Sequence, residues 1–438
     1  MPLTGTELLD VLASEIESST GCTDPGSVCL AVAAATEALG AKPEEIHVLV
    51  SPNLYKNGVS VGIPGTGRVG LPLAAALGAL LHDPGRGLAI LSDVTDAVVR
   101  QAEQIVSDDR VHVAYGQAPD PLYVKATVTR GQDKAYAVIM GDYSRITEVV
   151  RNGETLIRRS VVSSASAYPL KQYTVKSLYD LILSMEPEAF RFLLENARRN
   201  KDAALQDLQS SSLPLGRHFQ QCMTPDLTDS LAVSSAVQAY TAAAGEARMG
   251  GLNVAIMAIA GSGNHGITNF VGVLSAAEAL HATEEQVMTA LAISSTLTVY
   301  IKAYIKRMTA FCGCGVAAAT GMAAAVTWLL GGSYEDSVHA MQTVLGTIGG
   351  MFCDGAKLSC AYKLSTAASF AVQASYLALD GCYLPEGVGI IAHTIEQTFA
   401  NVGRLNDPGM LATDRELVQI IAKNQQCAAA PVQETGKE

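Results

Sequence analysis

The stretch that decides the fold of the N-terminal part begins at Val111-His112-Val113-Ala114-Tyr115 and continues through residues 122–128 (Leu-Tyr-Val-Lys-Ala-Thr-Val) to residues 135–139 (Ala-Tyr-Ala-Val-Ile). Apolar and polar residues alternate within these segments, and polar connections that contain glycine separate them. Alternation with a period of two predicts strands that bury one face. We therefore predict a small sheet between residues 111 and 149.

The residues before this sheet predict a mixture of helices and short strands. Apolar residues recur at helical spacing over residues 3–18, and a second helix is expected from a cap at Thr23 or Asp24 to Ala38. Further segments predict strands at 46–50, 59–61 and 88–91, and helices at 71–81 and 96–105. Residues 1–165 are thus expected to form an α+β domain of helices plus a small sheet.

The rest of the chain predicts helices. From Val175 onward the apolar residues follow helical spacing with glycine or proline between segments, and no segment predicts a sheet. Two helix starts, at 281–287 and 332–338, place acidic residues in the first turn, where the helix dipole favours them. We expect residues 166–438 to form an all-helical domain that carries the cysteine-rich site described below.

Composition excludes several classes of function. The 438-residue chain carries a formal charge of −12, which argues against nucleic acid or an anionic membrane as a partner. The N-terminus lacks the pattern of a signal peptide, and nine cysteines, an odd number, argue against a disulfide scaffold. We expect a cytoplasmic protein with free thiols. A composition that is 49% hydrophobic suggests a homodimer or larger homo-oligomer.

Four cysteines fall in two short patches rich in glycine. The first is Phe311-Cys312-Gly313-Cys314-Gly315, and the second, Met351-Phe352-Cys353-Asp354-Gly355-Ala356-Lys357-Leu358-Ser359-Cys360, lies about forty residues later. Thiolates are the usual ligands of iron–sulfur clusters, which need three or four of them. A structural zinc ion and merely buried thiols are the alternatives, since neither spacing is diagnostic. The flanking glycines and the adjacent charges favour the cluster.

A second motif is Ser262-Gly263-Asn264-His265-Gly266, which follows an apolar run and opens another apolar helix. A glycine-rich turn at a helix N-terminus presents backbone N–H groups that suit a carboxylate or phosphate. A tight turn between two helices is the alternative. The motif is not a P-loop, because no Gly-Lys-Ser/Thr follows.

A third motif places Cys22 just ahead of the second helix, in Gly21-Cys22-Thr23-Asp24-Pro25. The positive end of a helix dipole lowers a cysteine pKa, which predicts an accessible thiolate suited to a general base or a further cluster ligand. An inert turn cysteine is the alternative. Residues 53–58 and 62–67 predict glycine-rich loops, and Lys302, Lys306 and Arg307 form a cationic stretch able to hold a carboxylate or simply to face solvent.

These motifs together resemble the L-cysteine desulfidase family, whose C-terminal part is similar to the α domain of bacterial iron–sulfur L-serine dehydratases. The matching pieces extend from residue 19 to residue 363 and include Lys56-Asn57-Gly58, residues 62–66 and the three motifs above. The resemblance implies a [4Fe–4S] cluster held by Cys312, Cys353 and Cys360, with Cys314 as a rival to Cys312. It also implies that Cys22 is the base.

The resulting hypothesis is β-elimination from L-cysteine to pyruvate, hydrogen sulfide and ammonia. Cys22 would abstract the α-proton, with His265 as the competing base, and Lys357 would add positive charge. The substrate-binding candidates are Ser262, Gly263, Asn264 and Asn57. An L-serine dehydratase is the nearest alternative. A pyridoxal-phosphate lyase and a non-catalytic helical binding protein with buried thiols are the alternatives from other classes.

Overall fold

A computed structural model describes residues 2–92, 94–160, 169–209, 213–224 and 227–429 of the chain. The N-terminal part contains a β-sheet with helices packed against it, and the C-terminal part is largely helical. This confirms the predicted class, an α+β region followed by a helical one. The predicted boundary at residue 165 lies outside the described residues.

The main sheet has six strands in the order β5-β2-β6-β7-β8-β9. The strands are β2 Glu45–Val50, β5 Val111–Tyr115, β6 Tyr123–Arg130, β7 Asp133–Met140, β8 Ile146–Arg151 and β9 Glu154–Arg158. Strand β5 pairs in parallel with β2, and the other neighbours are antiparallel. Buried and exposed residues alternate along β2 and β6, as the period-two pattern predicts.

Helices pack against this sheet. The helices of this part are α2 Thr23–Leu39, α3 Pro52–Gly58, α4 Leu71–Leu81 and α5 Asp96–Ser107. Helix α2 is buried on nearly all sides because it lies between the sheet and α4. The small side chains of α2 allow this close packing. Gly78 of α4 is needed for the same reason, because a Cβ built there would lie 2.3 Å from the carbonyl oxygen of Cys29.

The helical part is built around a second, larger apolar core. Its helices are α6 Val175–Ser184, α7 Arg191–Gln209, α8 Leu215–Gln220, α9 Ser230–Met249, α10 Gly263–Gly266, α11 Gly272–Ala279, α12 Glu284–Ile305, α13 Ala319–Leu329, α14 Tyr334–Ile348, α15 Ser359–Leu379, α16 Ile395–Arg404 and α17 Leu411–Ala429. Capping boxes at Thr283 and Ser333 confirm the two predicted helix starts. Short π-helical segments precede α11 and α13.

Helix α12 is the one described helix that is long and apolar enough to cross a membrane by length and composition. Its apolar window is 94% buried inside the protein. It is therefore the central helix of the larger core.

The first twenty residues belong structurally with the helical part. Helix α1 (Gly5–Glu15) buries Leu8 and Leu12 in the larger core, and β1 (Ile16–Thr20) pairs antiparallel with β10 (Ala255–Ile259). The predicted helix over 3–18 is therefore too long, and the expectation of no strand after Val175 is wrong. Pairing of two distant segments stabilises both strands, and neither segment shows this alone.

Three other local predictions differ from the structure. Residues 53–58, expected as a loop, form helix α3, because Ser51 caps it and Pro52 suits its first turn. The expected strand at 59–61 is a turn, which leads into the short strands β3 (Gly62–Ile63) and β4 (Arg68–Val69). The expected strand at 88–91 lies in a 3₁₀ turn over Pro84–Ala89 and its continuation, because Pro84 and the glycines favour tight turns.

Candidate functional site

The two cysteine patches lie side by side. Phe311 and Phe352 form an isolated antiparallel bridge. The Cys312 N–H donates to the Met351 carbonyl at 2.7 Å, and the Cys353 N–H donates to the Ala310 carbonyl at 2.7 Å. This backbone pairing fixes Cys312 against Cys353, although forty residues separate them in the chain.

Cys360 completes the group from the start of α15. Its thiol donates to the Gly355 carbonyl at 3.4 Å, and the side chain packs against Cys22, Val61 and Met249. The site therefore brings together Cys360 and Cys22, which come from opposite ends of the chain.

The loop that carries Cys353 and Cys360 is held against helix α3. Gly355 has φ +93°, and a Cβ at this position would lie 2.0 Å from the carbonyl oxygen of Lys56. Only glycine permits both the left-handed backbone and this close approach. The Lys56 ammonium is buried and pairs with Asp414 of α17, so α3 and α17 close one side of the site.

The described thiols are not gathered as tightly as the ligands of a single ion. Among the described residues, no three of the cysteine sulfurs all lie within 4.8 Å of one another. Tetrahedral thiolate zinc needs every sulfur close to the others, because each Zn–S bond is about 2.3 Å. The described thiols therefore do not form a preassembled zinc site.

Cys312 and Cys314 differ in their surroundings. The Cys314 thiol donates a hydrogen bond to the Cys312 sulfur, which lowers the pKa of Cys312 to about 6. The same hydrogen bond, followed by burial, raises the pKa of Cys314 well above its usual range. The two thiols therefore differ in the direction of their pKa shifts, lowered for Cys312 and raised for Cys314.

Cys22 is the N-cap residue of α2 and is almost fully buried. Burial and then the charge of Asp24 raise its pKa, so the expectation that the helix dipole produces a thiolate is reversed. The thiol donates to Asp24 Oδ2 at 3.2 Å, and Asn57 Nδ2 donates to Asp24 Oδ1 at 3.4 Å. Burial raises the pKa of Asp24 to about 6, within the range of a general base.

The Ser262–Gly266 motif follows β10 and forms the first turn of a helix that continues through α11. Ser262 is partly exposed, whereas Gly263, Asn264 and His265 are buried. The buried Arg248 guanidinium lies against Gly263, and its Nη1 donates to Asn264 Oδ1 at 2.9 Å. Arg248 Nε has no hydrogen-bond partner within the described part of the chain. An anion beside this turn would meet a buried cation as well as backbone N–H groups.

His265 connects this turn to the cysteines. Its Nδ1 lies 3.3 Å from the carbonyl oxygen of Ile259, which can only accept, so Nδ1 carries the proton. A Cβ built on Gly313 would lie 2.0 Å from Nε2, so that nitrogen faces the backbone between Cys312 and Cys314. Burial and then the charge of Lys302 lower the pKa of His265 well below its usual range, which leaves the imidazole neutral.

The predicted cations have different surroundings. Lys357 is partly exposed and pairs with Asp354 at 2.8 Å, and Lys363 pairs with the same carboxylate. Asp354 therefore neutralises part of the positive charge expected from Lys357. Lys306 and Arg307 pair with Asp407 and Glu15 at 2.6 and 3.3 Å.

Lys302 is the buried cation of this group, and its Nζ donates to the Arg307 carbonyl at 2.9 Å. Burial and then Arg307 lower its pKa to about 7, while the nearby Cys314 and Cys353 oppose the shift. Lys302 therefore lies close to the cysteine patches, and the role of this stretch in holding a substrate carboxylate stays a prediction.

Sequence reasoning missed Arg248 and assigned Asp24 only a capping role. Arg248 lies near the end of a helix of small residues, where one arginine has the usual meaning of a helix C-terminal charge. The available signal was an arginine that directly follows Ala-Ala-Ala-Gly-Glu-Ala, a run made mostly of the small residues that suit a buried helix.

Comparisons with known proteins identify the family of the chain. The family model described as serine dehydratase alpha chain matches residues 86–419. A UPF0597 protein of Methanocella arvoryzae is 49% identical over 416 residues, covering 95% of this chain and 98% of the relative. UPF0597 proteins of Bacteroides fragilis and Aeromonas hydrophila are each 36% identical, covering 95–96% of this chain and 97% of each relative. The chain therefore belongs to the serine dehydratase alpha chain family and is a serine dehydratase-like lyase.

Proposed function

We propose that the protein is an iron–sulfur-dependent lyase that converts L-cysteine to pyruvate, hydrogen sulfide and ammonia. The observation that supports this proposal is that residues from distant parts of the chain come together at one site. Cys22 packs against Cys360, His265 lies against the Gly313 backbone between Cys312 and Cys314, and Arg248 is close enough to Cys22 to act on its pKa. These residues span more than three hundred positions of the chain. A helical binding protein with buried thiols has no need of such a grouping of acids, bases and cations.

The cofactor we propose is a [4Fe–4S] cluster held by Cys312, Cys353 and Cys360. The pairing of the 310–312 and 351–353 segments and the position of Cys360 support this set. Cys314 is better suited to donating its hydrogen bond to Cys312. When bound with one iron open, such a cluster supplies Lewis acidity toward the substrate.

Arg248 supplies the binding group for the substrate carboxylate. A guanidinium offers several donors in a fixed plane, and Nε is available in the described structure. Asn264 holds the guanidinium by accepting from Nη1, and Gly263 leaves room for it. The N–H groups of the Ser262–Gly266 turn add donors on the same side.

The α-proton is removed by Cys22 together with Asp24. The Asp24 carboxylate accepts the thiol proton at 3.2 Å, so transfer to Asp24 leaves a thiolate able to take the substrate proton. Asn57 orients the carboxylate from its other oxygen. Loss of the α-proton and departure of the sulfur as hydrosulfide, which is released as hydrogen sulfide once it takes up a proton, give aminoacrylate. Water then converts aminoacrylate to pyruvate and ammonia. His265 Nε2 remains the competing base.

L-serine dehydration is the second candidate, since the matching family model is that of serine dehydratase alpha chains. The two substrates differ only in the leaving atom. The protein should be reconstituted with iron and sulfide without oxygen and then assayed for pyruvate on each substrate. Cysteine activity requires pyruvate and sulfide in equal amounts and a higher kcat/KM than for L-serine. A higher kcat/KM for L-serine would replace the first proposal with the second, and no pyruvate from either would reject both.

We also propose that the protein acts in the cytoplasm as a homodimer or larger assembly, with a small amino acid as its partner. All eight cysteines with described side chains are free thiols, which suits a reducing compartment. Light scattering under anaerobic conditions tests the assembly, and a monomer mass would reject it.

A further inference from the structure

A second group of metal-binding side chains lies on the main sheet, away from the cysteines. Glu45 and His47 are two residues apart on β2, so their side chains share one face. His112 is the register partner of His47 on β5. The face is the one opposite the buried Ile46 and Val48, so the three side chains reach solvent.

The three side chains are already close to one another. One ligand atom from each residue lies within 4.8 Å of the other two. The two imidazole rings stack with their centroids 4.8 Å apart, and His112 Nε2 lies 3.4 Å from Glu45 Oε2. Because the strands are hydrogen-bonded in register, the backbone holds the three donors together in advance.

The neighbouring cation, Arg110, does not occupy the space between these three side chains. Arg110, opposite Glu45 in the sheet, turns its guanidinium to the carbonyls of Pro43 and Glu44, at 2.6 and 2.7 Å. His47 faces Thr127 on the other side, in β6. A cation placed between the imidazoles and the carboxylate would therefore displace no arginine, and it would replace the contact between His112 and Glu45 with bonds to both ligands.

The donor set defines the class of ion. Two imidazoles and one carboxylate suit zinc, nickel or copper, whereas magnesium and calcium prefer oxygen ligands alone. Three protein ligands leave further coordination positions to water.

We propose that Glu45, His47 and His112 bind one divalent late first-row transition-metal ion. The bound ion would link β5 to β2, and this link is called the clip below. Strand β5 is the edge of the sheet, and among the described strands β2 is its only neighbour. Ligands from both strands therefore add a link across this edge pair.

The test is a calorimetric titration of the cluster-loaded full chain with Ni²⁺ under anaerobic conditions. One strong site per chain is expected, and His47→Ala or His112→Ala should raise its Kd at least tenfold. The matched control is His393→Ala, because His393 forms an exposed pair with Glu386 at 3.0 Å but belongs to no described three-ligand group. This control should bind as the unmodified chain does.

Hydrogen exchange of residues 111–115 tests the clip separately, and Ni²⁺ should slow it in the unmodified chain and not in His112→Ala. Unchanged Ni²⁺ affinity in the double variant His47→Ala/His112→Ala would overturn the proposed site. Binding without slower exchange would overturn the clip and retain the site.

Discussion

The environment of a single residue decides the chemistry of this site more than its sequence neighbours do. Cys22 sits at a helix N-terminus, which lowers a cysteine pKa when the thiol is exposed. Here burial and the adjacent Asp24 act in the opposite direction and are the larger effects. Burial cannot be read from a motif of five residues, so the sequence identified Cys22 but not its protonation state.

Replacing Cys22 tests its role as base. Cys22→Ala should lower kcat by about 10²- to 10⁴-fold, the range of general-base contributions, with iron content unchanged. Cys29→Ala is the control, since Cys29 is also buried in α2 but contacts only the apolar core. Near-normal turnover of Cys22→Ala with its cluster intact would transfer the role to His265.

Replacing Arg248 tests the carboxylate site. Arg248→Lys keeps the charge but loses the planar donors, so KM should rise about 10- to 100-fold, as for loss of a charged hydrogen bond. Arg199→Lys, an exposed change, should leave KM unaltered. Steady-state kinetics on the reconstituted enzyme measure both, and an unchanged KM in Arg248→Lys would place the carboxylate elsewhere.

Asp207 lies outside the site, and its shifted pKa predicts that the stability of the protein depends on pH. Burial and then Glu246 raise the pKa of this carboxyl to about 7. The folded state therefore holds a proton that the unfolded state releases near pH 4, and this contribution to stability is lost as the pH rises to about 7. Asp207→Asn should flatten that decline between pH 5.5 and 8 and raise the free energy of unfolding at pH 8 by about 1 kcal/mol.

Urea unfolding of the loaded protein at several pH values measures this effect. Asp202→Asn, an exposed change in the same helix, is the control and should follow the unmodified chain. An identical pH profile for Asp207→Asn and the unmodified chain would contradict the assignment.

At the scale of elements, the site depends on close approaches that only glycine allows. Strand β10 is the scaffold, because it starts the turn that carries His265 and is held by β1 from the other end of the chain. The sequence showed an apolar run at 254–260 but not its partner, since a run of seven residues fits a strand or a buried helix equally. The motifs were therefore predictable, and the pairing that positions one of them was not.

Gly313 provides the test at this scale. Gly313→Ala would place a methyl group 2.0 Å from His265 Nε2, so the imidazole must move and activity should fall, with a stability loss of about 1–3 kcal/mol. Gly350→Ala is the matched control, because a Cβ there meets nothing within 4 Å. Kinetics and thermal melting measure both variants, and equal behaviour of the two would show that His265 is not held as described.

At the scale of the whole molecule, the sequence predicted the order of the parts better than their association. The alternation at 111–139 and the helical spacing after residue 175 predicted the α+β and helical regions, because each pattern is local. The packing of α1 in the larger core depends on contacts between Leu8, Leu12 and residues beyond 170. Such contacts join segments with no shared pattern, so only the structure shows them.

The central claim is that distant segments assemble one iron–sulfur site. Iron and acid-labile sulfide per chain, measured after anaerobic reconstitution, test it most directly in four variants, Cys312→Ala, Cys353→Ala, Cys360→Ala and Cys314→Ala. The account predicts about four irons and four sulfides in the unmodified chain and in Cys314→Ala, with loss in each of the other three. Retention in Cys353→Ala or Cys360→Ala, or loss in Cys314→Ala with retention in Cys312→Ala, would contradict it.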